Sequence, residues 1–484
     1  MHASSKIILS ALLVATLIVS IFFTLSISLK IPIPRLRRSN LRIITENFMW
    51  GANTTFVISW DDARPTDIYL APIDERYGIR HTIFSTSIRL YPNASFWRYA
   101  YFLDELFRGH DVQSHCGEHV HLSRYSGAEQ ERLIKWGRDG IKEVYGYTPI
   151  VFAYPYGDTG GSKFVKKYFA LGRTIRYEGT SWPPNDWALA GVTIPIDGIE
   201  DENLDRIPEI MNDIYHGEGG VFKGYGHTNH LGEDFGVTNF TKYRQIIEQI
   251  SGWENVWYTT WGELVSYTIQ KNNLKIINIV ENQDEISFDI LWNIDTNIYN
   301  VPVTFSILDL RLEGYILLVD GKISNSIKIV GNKTMISVRP NKGESITHVS
   351  LTRKNIQDNE PPAVKNIRLY TWTVFQDWRS DPSTYCNDTY TFLMFDVVDN
   401  SSYIKDVNIT IALKNGSIIS YENIRNPIFW NNSTYGRILF GMNVSDISTI
   451  TITAIDISNN AIEYTFVGSL GYYKVTPNWS YTKD

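Results

Sequence analysis

The apolar positions of this chain change rhythm twice. Ile7 to Leu29 is a nearly unbroken apolar run without charge, flanked by Lys6 and Lys30. As a helix of about 23 residues it would span about 35 Å, which predicts a transmembrane anchor over 7–29. A cleaved signal is the second choice, because Ser26-Ile27-Ser28 matches a small-residue cleavage site poorly. Residues 30–49, with Pro32, Pro34 and several arginines, read as a linker. From about 50 to 268, short apolar runs alternate with helical periodicity. Thr55–Trp60, Arg80–Ser85, Asp111–His115, Pro149–Tyr156, Val192–Ile196, Gly220–Tyr225 and Val256–Thr260 read as strands. Phe96–Phe107, Phe164–Ala170, Ile207–Tyr215 and Tyr243–Ile250 read as helices. Another helix opens at the capping box Ser126/Glu129 and runs to about Tyr145, with Leu133, Trp136, Ile141 and Val144 as its apolar face. Repeated strand–helix units predict an α/β fold with a parallel sheet or barrel, whose functional groups gather at the carboxyl ends of the strands.

After about residue 270 the helical period disappears. Ile, Val, Thr, Tyr and Asn dominate, with turn signals at Asp320-Gly321, Asn341-Lys342-Gly343 and Asn415-Gly416. This predicts all-β sandwich domains over 271–356 and 360–475. The boundary falls at Asn359-Glu360-Pro361-Pro362, because consecutive prolines cannot enter a sheet interior.

Composition narrows the function classes. A formal charge of −7 removes the global electrostatic case for nucleic-acid binding. Aromatic residues make up 13% of the 484, enough to build cores, so intrinsic disorder is not expected. Cys116 and Cys386 are the whole cysteine complement and fall in different predicted domains, which excludes a disulfide-stapled scaffold and a Cys-rich zinc module. The basic residues Lys30, Arg35, Arg37 and Arg38 would place the large domain in the cytoplasm. Against them stand Asn-x-Ser/Thr sites at Asn53, Asn93, Asn239, Asn332, Asn387, Asn400, Asn408, Asn415, Asn432 and Asn443, mostly in the C-terminal half. Their clustering favours an external, glycosylated, single-pass protein at the cell membrane.

Histidine is the informative residue. Of ten in the chain, His110, His115, His119 and His121 fall close together. His115 and His119 are four apart, which on a helical turn brings both imidazoles to one metal; a hydrogen-bonded pair on a polar loop would show the same spacing. Asp61 and Asp62 follow the first strand, at the end where active sites form, although Asp-Asp also makes ordinary turns and caps. One Asp with two His supplies three ligands and leaves positions for water and substrate.

These residues carry a resemblance. Ile58-Ser59-Trp60-Asp61-Asp62, Gly109-His110-Asp111-Val112-Gln113-Ser114-His115-Cys116-Gly117-Glu118-His119 and Ala153-Tyr154-Pro155-Tyr156-Gly157 resemble, in order and spacing, the first three motifs of polysaccharide deacetylases. That is the NodB-homology group, carbohydrate esterase family 4. The resemblance covers about 50–268 and implies a distorted (β/α) barrel. It implies Asp61 as catalytic base, and Asp62, His115 and His119 as ligands of a divalent metal, usually zinc, sometimes cobalt or nickel. It implies that the Tyr156 backbone N–H helps hold the oxyanion. Asp186-Trp187 resembles the fourth motif, in which the Asp orients the acid and the Trp walls the acetyl pocket. His227 best matches the acid of the fifth motif, with His230 as its rival. His110 and His121 read as supporting or solvent-facing groups, and Cys116 matches no ligand position.

The pattern departs from the family twice. Ala63 stands where a Gly usually follows the Asp pair, and Ala153 stands where an Arg often orients the base. Arg173 or Arg176, on the next strand, is the candidate replacement. Asp396–Ser401 and Ala454–Asn460 resemble strands of extracellular immunoglobulin-like modules, and Phe375, Trp378 and Trp430 are candidate sugar-stacking rings, though core packing accounts for them as well. The expectation is a membrane-anchored, outward-facing, metal-dependent hydrolase of the amide in N-acetylated polysaccharide. The alternative is an inactive glycan-binding or surface-structural protein on a deacetylase scaffold. Turnover would separate the two.

Overall fold

A computed structural model describes residues 41–63, 67, 70–89, 104–196, 202–228, 240–376, 386–425, 433–439, 442 and 444–467. The predicted anchor over 7–29 lies outside the described residues, as do His230, Trp378 and Trp430. Among the described residues no helix is long and apolar enough to cross a membrane. Of the predicted helix Phe96–Phe107, the described part, 104–107, lies in a helix that runs on to 108.

The first strand, β1 (Ile43–Thr45), lies inside the stretch read as a linker. It is instead an edge strand, antiparallel to a strand some 260 residues away, with Ile43 opposite Ile307. Then come β2 (Thr54–Asp61), α1 (Ala71–Arg76), β3 (Thr82–Ser85), β4 (Asp111–Ser114), α2 (Gly127–Tyr145), β5 (Val151–Ala153), α3 (Ser162–Tyr168), β6 (Leu171–Tyr177), β7 (Ala190–Val192) and β8 (Ile194–Pro195). They are followed by α4 (Glu202–His216), β9 (Gly220–Gly226), α5 (Phe240–Ile250), β10 (Val256–Thr259) and α6 (Trp261–Asn272). The strands β2–β10 form one sheet in the order β7-β6-β5-β4-β3-β2-β9-β8, with β10 also on β2, and every pair is parallel. Because β7 pairs with β6 and, one residue later, β8 pairs with β9, a single extended segment joins both edges and nearly closes a barrel. All eight residues of β2 are buried, as expected of a strand covered on both faces.

Helix α2 shows how the sequence sets the site. Ser126 Oγ accepts the Glu129 N–H at 3.3 Å, and Gly146 at φ 77° ends the helix in the left-handed region. Leu133, Ile134, Gly137, Gly140, Ile141 and Tyr145 form its buried face. At Gly137 a Cβ would stand 2.6 Å from Ser114 Oγ and 2.7 Å from the Cys116 carbonyl carbon, so only glycine lets α2 press against the loop that carries His115.

The remainder is all-β. Strands β11 (Leu274–Glu281), β12 (Glu285–Trp292), β13 (Val303–Ile307), β14 (Ile316–Val319), β15 (Lys322–Ser324), β16 (Ile327–Val330), β17 (Lys333–Val338) and β18 (Ile346–Thr352) make two sheets, β11-β12-β18-β14-β15 and β1-β13-β17-β16. Their apolar residues and those of α6 and the barrel form one continuous core. Strands β19 (Ala363–Gln376), β20 (Cys386–Val398), β21 (Ile404–Leu413), β22 (Ile418–Tyr421), β23 (Thr434–Leu439), β24 (Ile447–Asp456) and β25 (Ala461–Val467) make two more sheets, β19-β20-β23 and β22-β21-β24-β25. These face each other across a separate core containing Phe395, Ile409, Ile411 and Ile452.

Candidate active site

Asp61 ends β2, and Asp62 turns sharply out of it at φ 78°. His115 follows β4, and the Tyr156 turn follows β5. His227 follows β9, whose Gly226 is the register partner of Trp60, so the strand ends deliver Asp61 and His227 side by side. Asp62 Oδ1 lies 3.1 Å from His119 Nε2 and 3.5 Å from His115 Nε2. One ligating atom from each of Asp62, His115 and His119 falls within 4.8 Å of the others.

The chemistry of this group suits a metal. His115 Nδ1 lies 2.9 Å from the Ala153 carbonyl, which accepts only if that nitrogen carries the proton. Its Nε2 therefore presents a lone pair, and that atom is buried without a hydrogen-bond partner. Burial pushes the His115 imidazole down to about 4 in spite of Asp61 and Asp62, so it is neutral at physiological pH, as a ligand must be. A carboxylate and two imidazoles form a donor set that suits a divalent transition metal and leaves positions open for water and substrate.

Asp61 is 3% exposed. Burial pushes its carboxyl up, but the Arg173 guanidinium above all, by its charge and its hydrogen bond, holds it below the usual carboxylate range. The Arg173 Nη2 donates to Asp61 Oδ1. Arg173 is itself fully buried, between the rings of Phe84 at 4.9 Å and Tyr225 at 5.0 Å. It sits on β6 directly opposite Ala153 on β5. The guanidinium missing from Ala153 is thus supplied from the adjacent strand. Arg176 instead donates to the Leu189 carbonyl at 3.1 Å.

Tyr156 is in the left-handed region at φ 57° and 55% exposed. Its ring packs edge-on against His119 at 4.3 Å and stacks on His121 at 4.1 Å. Asp186 is not brought to this group. Its carboxylate takes Lys166 Nζ of α3 at 3.2 Å and the Ala188 N–H at 2.9 Å, on the outer wall of the barrel. Trp187 packs edge-on against Trp182. The assignment of Asp186 as the residue that orients the acid is therefore corrected: it caps a loop. For His110 the solvent-facing alternative is removed. The residue is 1% exposed, stacks on His81 at 3.9 Å and accepts the His81 N–H on Nδ1. Cys116 is buried, and burial pushes its thiol up to about 12, which leaves no thiolate to ligate.

Residues 52–173 match the polysaccharide deacetylase family model. The matched span contains Asp61, Asp62, His115, His119, Tyr156 and Arg173 and stops short of His227. No curated protein is recognisably similar in sequence. Among solved structures, the chain is similar to a family 4 carbohydrate esterase from Streptomyces lividans, at 18% identity and TM-score 0.28, over 43% of this chain and 92% of that one. It is similar to the peptidoglycan deacetylase PdaC from Bacillus subtilis, at 19% identity and TM-score 0.29, over 44% and 89%. It is also similar to the PuuE allantoinase, at 12% and 0.37, over 46% and 92%. At these scores they are likenesses only.

Proposed function

We propose that the barrel is a metal-dependent deacetylase that hydrolyses the acetamide of an N-acetylated polysaccharide. The observation that carries this reading is the convergence of Asp62, His115 and His119 beside the Asp61–Arg173 pair and His227 at one end of the barrel. A divalent metal held by Asp62, His115 and His119 would polarise the amide carbonyl and lower the pKa of a bound water. Asp61 takes the proton of the attacking water; Arg173 keeps its carboxylate ionised and aimed. His227 gives a proton to the departing nitrogen, for which an imidazole near neutral pH is suited. The Tyr156 backbone N–H supports the oxyanion. The Ala153 carbonyl fixes the His115 tautomer.

The test is acetate release from N-acetylglucosamine oligomers by the full-length protein in detergent, stripped of metal and then given zinc or cobalt. Metal-restored release is expected, with a loss of about 100-fold or more in Asp61→Asn. Metal uptake without release from any N-acetyl sugar would sink the reading. We further propose that the protein is anchored in the membrane with the barrel outside. The apolar run over 7–29 and the exposed sequons at Asn53, Asn332, Asn400 and Asn415 support this. Protease added to intact cells should then degrade the barrel; full protection would refute the orientation.

A further inference from the structure

Far from the barrel mouth, three carboxylates converge where the two all-β parts meet. Asp358 lies in the segment between β18 and β19, Asp399 follows β20, and Asp456 closes β24. One oxygen from each falls within 4.8 Å of the others. Asp456 is fully buried and Asp399 is 9% exposed. Asp358 Oδ2 is a wholly buried oxygen without a hydrogen-bond partner.

The neighbouring backbone aims these groups. Asp399 Oδ1 accepts the N–H of Ser401 at 2.7 Å and of Ser402 at 2.9 Å, and Ser402 Oγ reaches Asp399 Oδ2 at 3.4 Å. Asp456 accepts the Asn460 N–H at 2.9 Å and its side-chain amide at 2.8 Å. The Glu360 N–H binds Asp358 Oδ1 at 3.1 Å, and the Asn460 amide also binds the Asp358 carbonyl. Among the described residues no Lys, Arg or His forms an ion pair with any of the three. Lys322 Nζ goes to the main-chain carbonyl of Asp399, at 3.3 Å. Neutral donors do not offset three gathered carboxylates, two of them buried; a cation does.

We propose that Asp358, Asp399 and Asp456 hold one hard divalent cation of the Ca2+ class. The donors are all carboxylate oxygens, without imidazole or thiolate, which separates this site chemically from the Asp-His-His group. Three ligands from separate chain segments and a flexible coordination sphere favour Ca2+ over Mg2+, which demands tighter octahedral geometry. The ion ties the irregular segment 353–362 to the ends of β20 and β24. The Asp399 loop also touches the preceding module, through the Ile323 N–H on the Ser401 carbonyl at 3.3 Å. Ion binding therefore fixes the C-terminal module against its neighbour.

The test uses the full-length protein, chelator-treated and titrated calorimetrically with CaCl2 and, separately, with MgCl2. Saturable Ca2+ uptake is expected with a dissociation constant of about 10⁻⁶ to 10⁻³ M, the range of Ca2+ sensors and extracellular modules. Uptake should persist in His115→Ala, which cripples only the barrel group. It should weaken about tenfold or more in Asp358→Asn, whose side chain is the least buried and whose fold is checked by circular dichroism. Ca2+ should raise the thermal midpoint of the parent and raise that of Asp358→Asn less at the same concentration. No saturable Ca2+ uptake up to about 10 mM would overturn the proposal, as would tighter Mg2+ binding or uptake equal to the parent's in both Asp358→Asn and Asp456→Asn.

Discussion

Arg173 reaches Asp61 from β6, with β5, β4 and β3 between the two strands, and its identity matters because both groups are buried. A buried carboxylate left without its cation either protonates or destabilises the fold. Arg173→Met should therefore lower turnover by about 100-fold or more, Arg173→Lys should recover part of it, and Arg176→Met should stay within about twofold. Steady-state kinetics with circular dichroism on each variant decides this; equal losses at both positions would remove Arg173 from the site. A second residue-scale device lies under α1. His81 Nδ1 is 2.6 Å from Asp74 Oδ2 and Nε2 is 3.3 Å from Glu105 Oε2, all three buried, while Tyr243 donates to Asp74 at 2.8 Å. Burial alone would push the His81 imidazole down, yet the two carboxylates raise it to about 10. The folded state then binds a proton that the unfolded chain releases above its ordinary value of 6.5. That stabilisation is complete below pH 6.5 and is lost as pH rises through about 10. Asp74, pushed up mainly by burial, acts in the same direction. Denaturation in urea should show stability falling by at least about 1.4 kcal/mol between the two pH values, the equivalent of one pKa unit, and His81→Asn should flatten the decline.

At the scale of elements, what the sequence discloses is local and what it hides is pairing. The capping box at Ser126 is visible because its donor and acceptor are three residues apart, and α2 begins there. The same signal, Thr260-Trp261-Gly262-Glu263, opens α6, with Thr260 Oγ1 accepting the Glu263 N–H at 3.2 Å. It is overlooked when the strand before it absorbs Thr260, so the last barrel helix goes unassigned. The Asp62, His115 and His119 group is legible because its members follow the ends of β2 and β4. The Arg173 replacement is narrowed only to a pair, since the register that sets Arg173 opposite Ala153 is a tertiary fact. Asp186-Trp187 misleads for the converse reason: a plausible dipeptide carries no information on which wall of the barrel it occupies. The tight approach of α2 at Gly137 gives an element-scale prediction. Gly137→Ala must displace the helix from Ser114 and the Cys116 backbone, at a cost of about 1–3 kcal/mol. Because that loop carries His115, metal affinity should fall as well. Ser126→Ala removes only the cap, about 1 kcal/mol, and should leave metal affinity unchanged. Equal metal binding by both variants, measured by chelator competition, would show that α2 does not position the site.

For the whole molecule, the question is whether the barrel stands alone. Its closing helix says otherwise. Along α6, Trp261, Leu264, Val265, Tyr267, Thr268 and Gln270 are buried, too broad a face for the barrel alone to cover. Gln270 donates from Nε2 to the Val301 carbonyl and accepts the Val301 N–H on Oε1, both at 2.9 Å. Tyr267 donates its hydroxyl to the Glu46 carbonyl at 3.2 Å, just beyond β1, which is itself paired with β13. The barrel and first sandwich thus share one core and these three main-chain hydrogen bonds, whereas the C-terminal module has a core of its own and reaches the shared one through Phe392 of β20. A chain ending at 272 would leave those α6 contacts and the amide of Gln270 facing water, and would free β1. A chain ending at 357 would keep all of them. The shorter chain should lose cooperative unfolding or aggregate, by exposure of buried apolar area at about 25 cal/mol per Å². The longer one should keep the metal affinity of the full-length protein. Equal thermal midpoints for the two truncations would refute the shared core. A longer truncation that unfolds would instead make the C-terminal module part of the same cooperative unit.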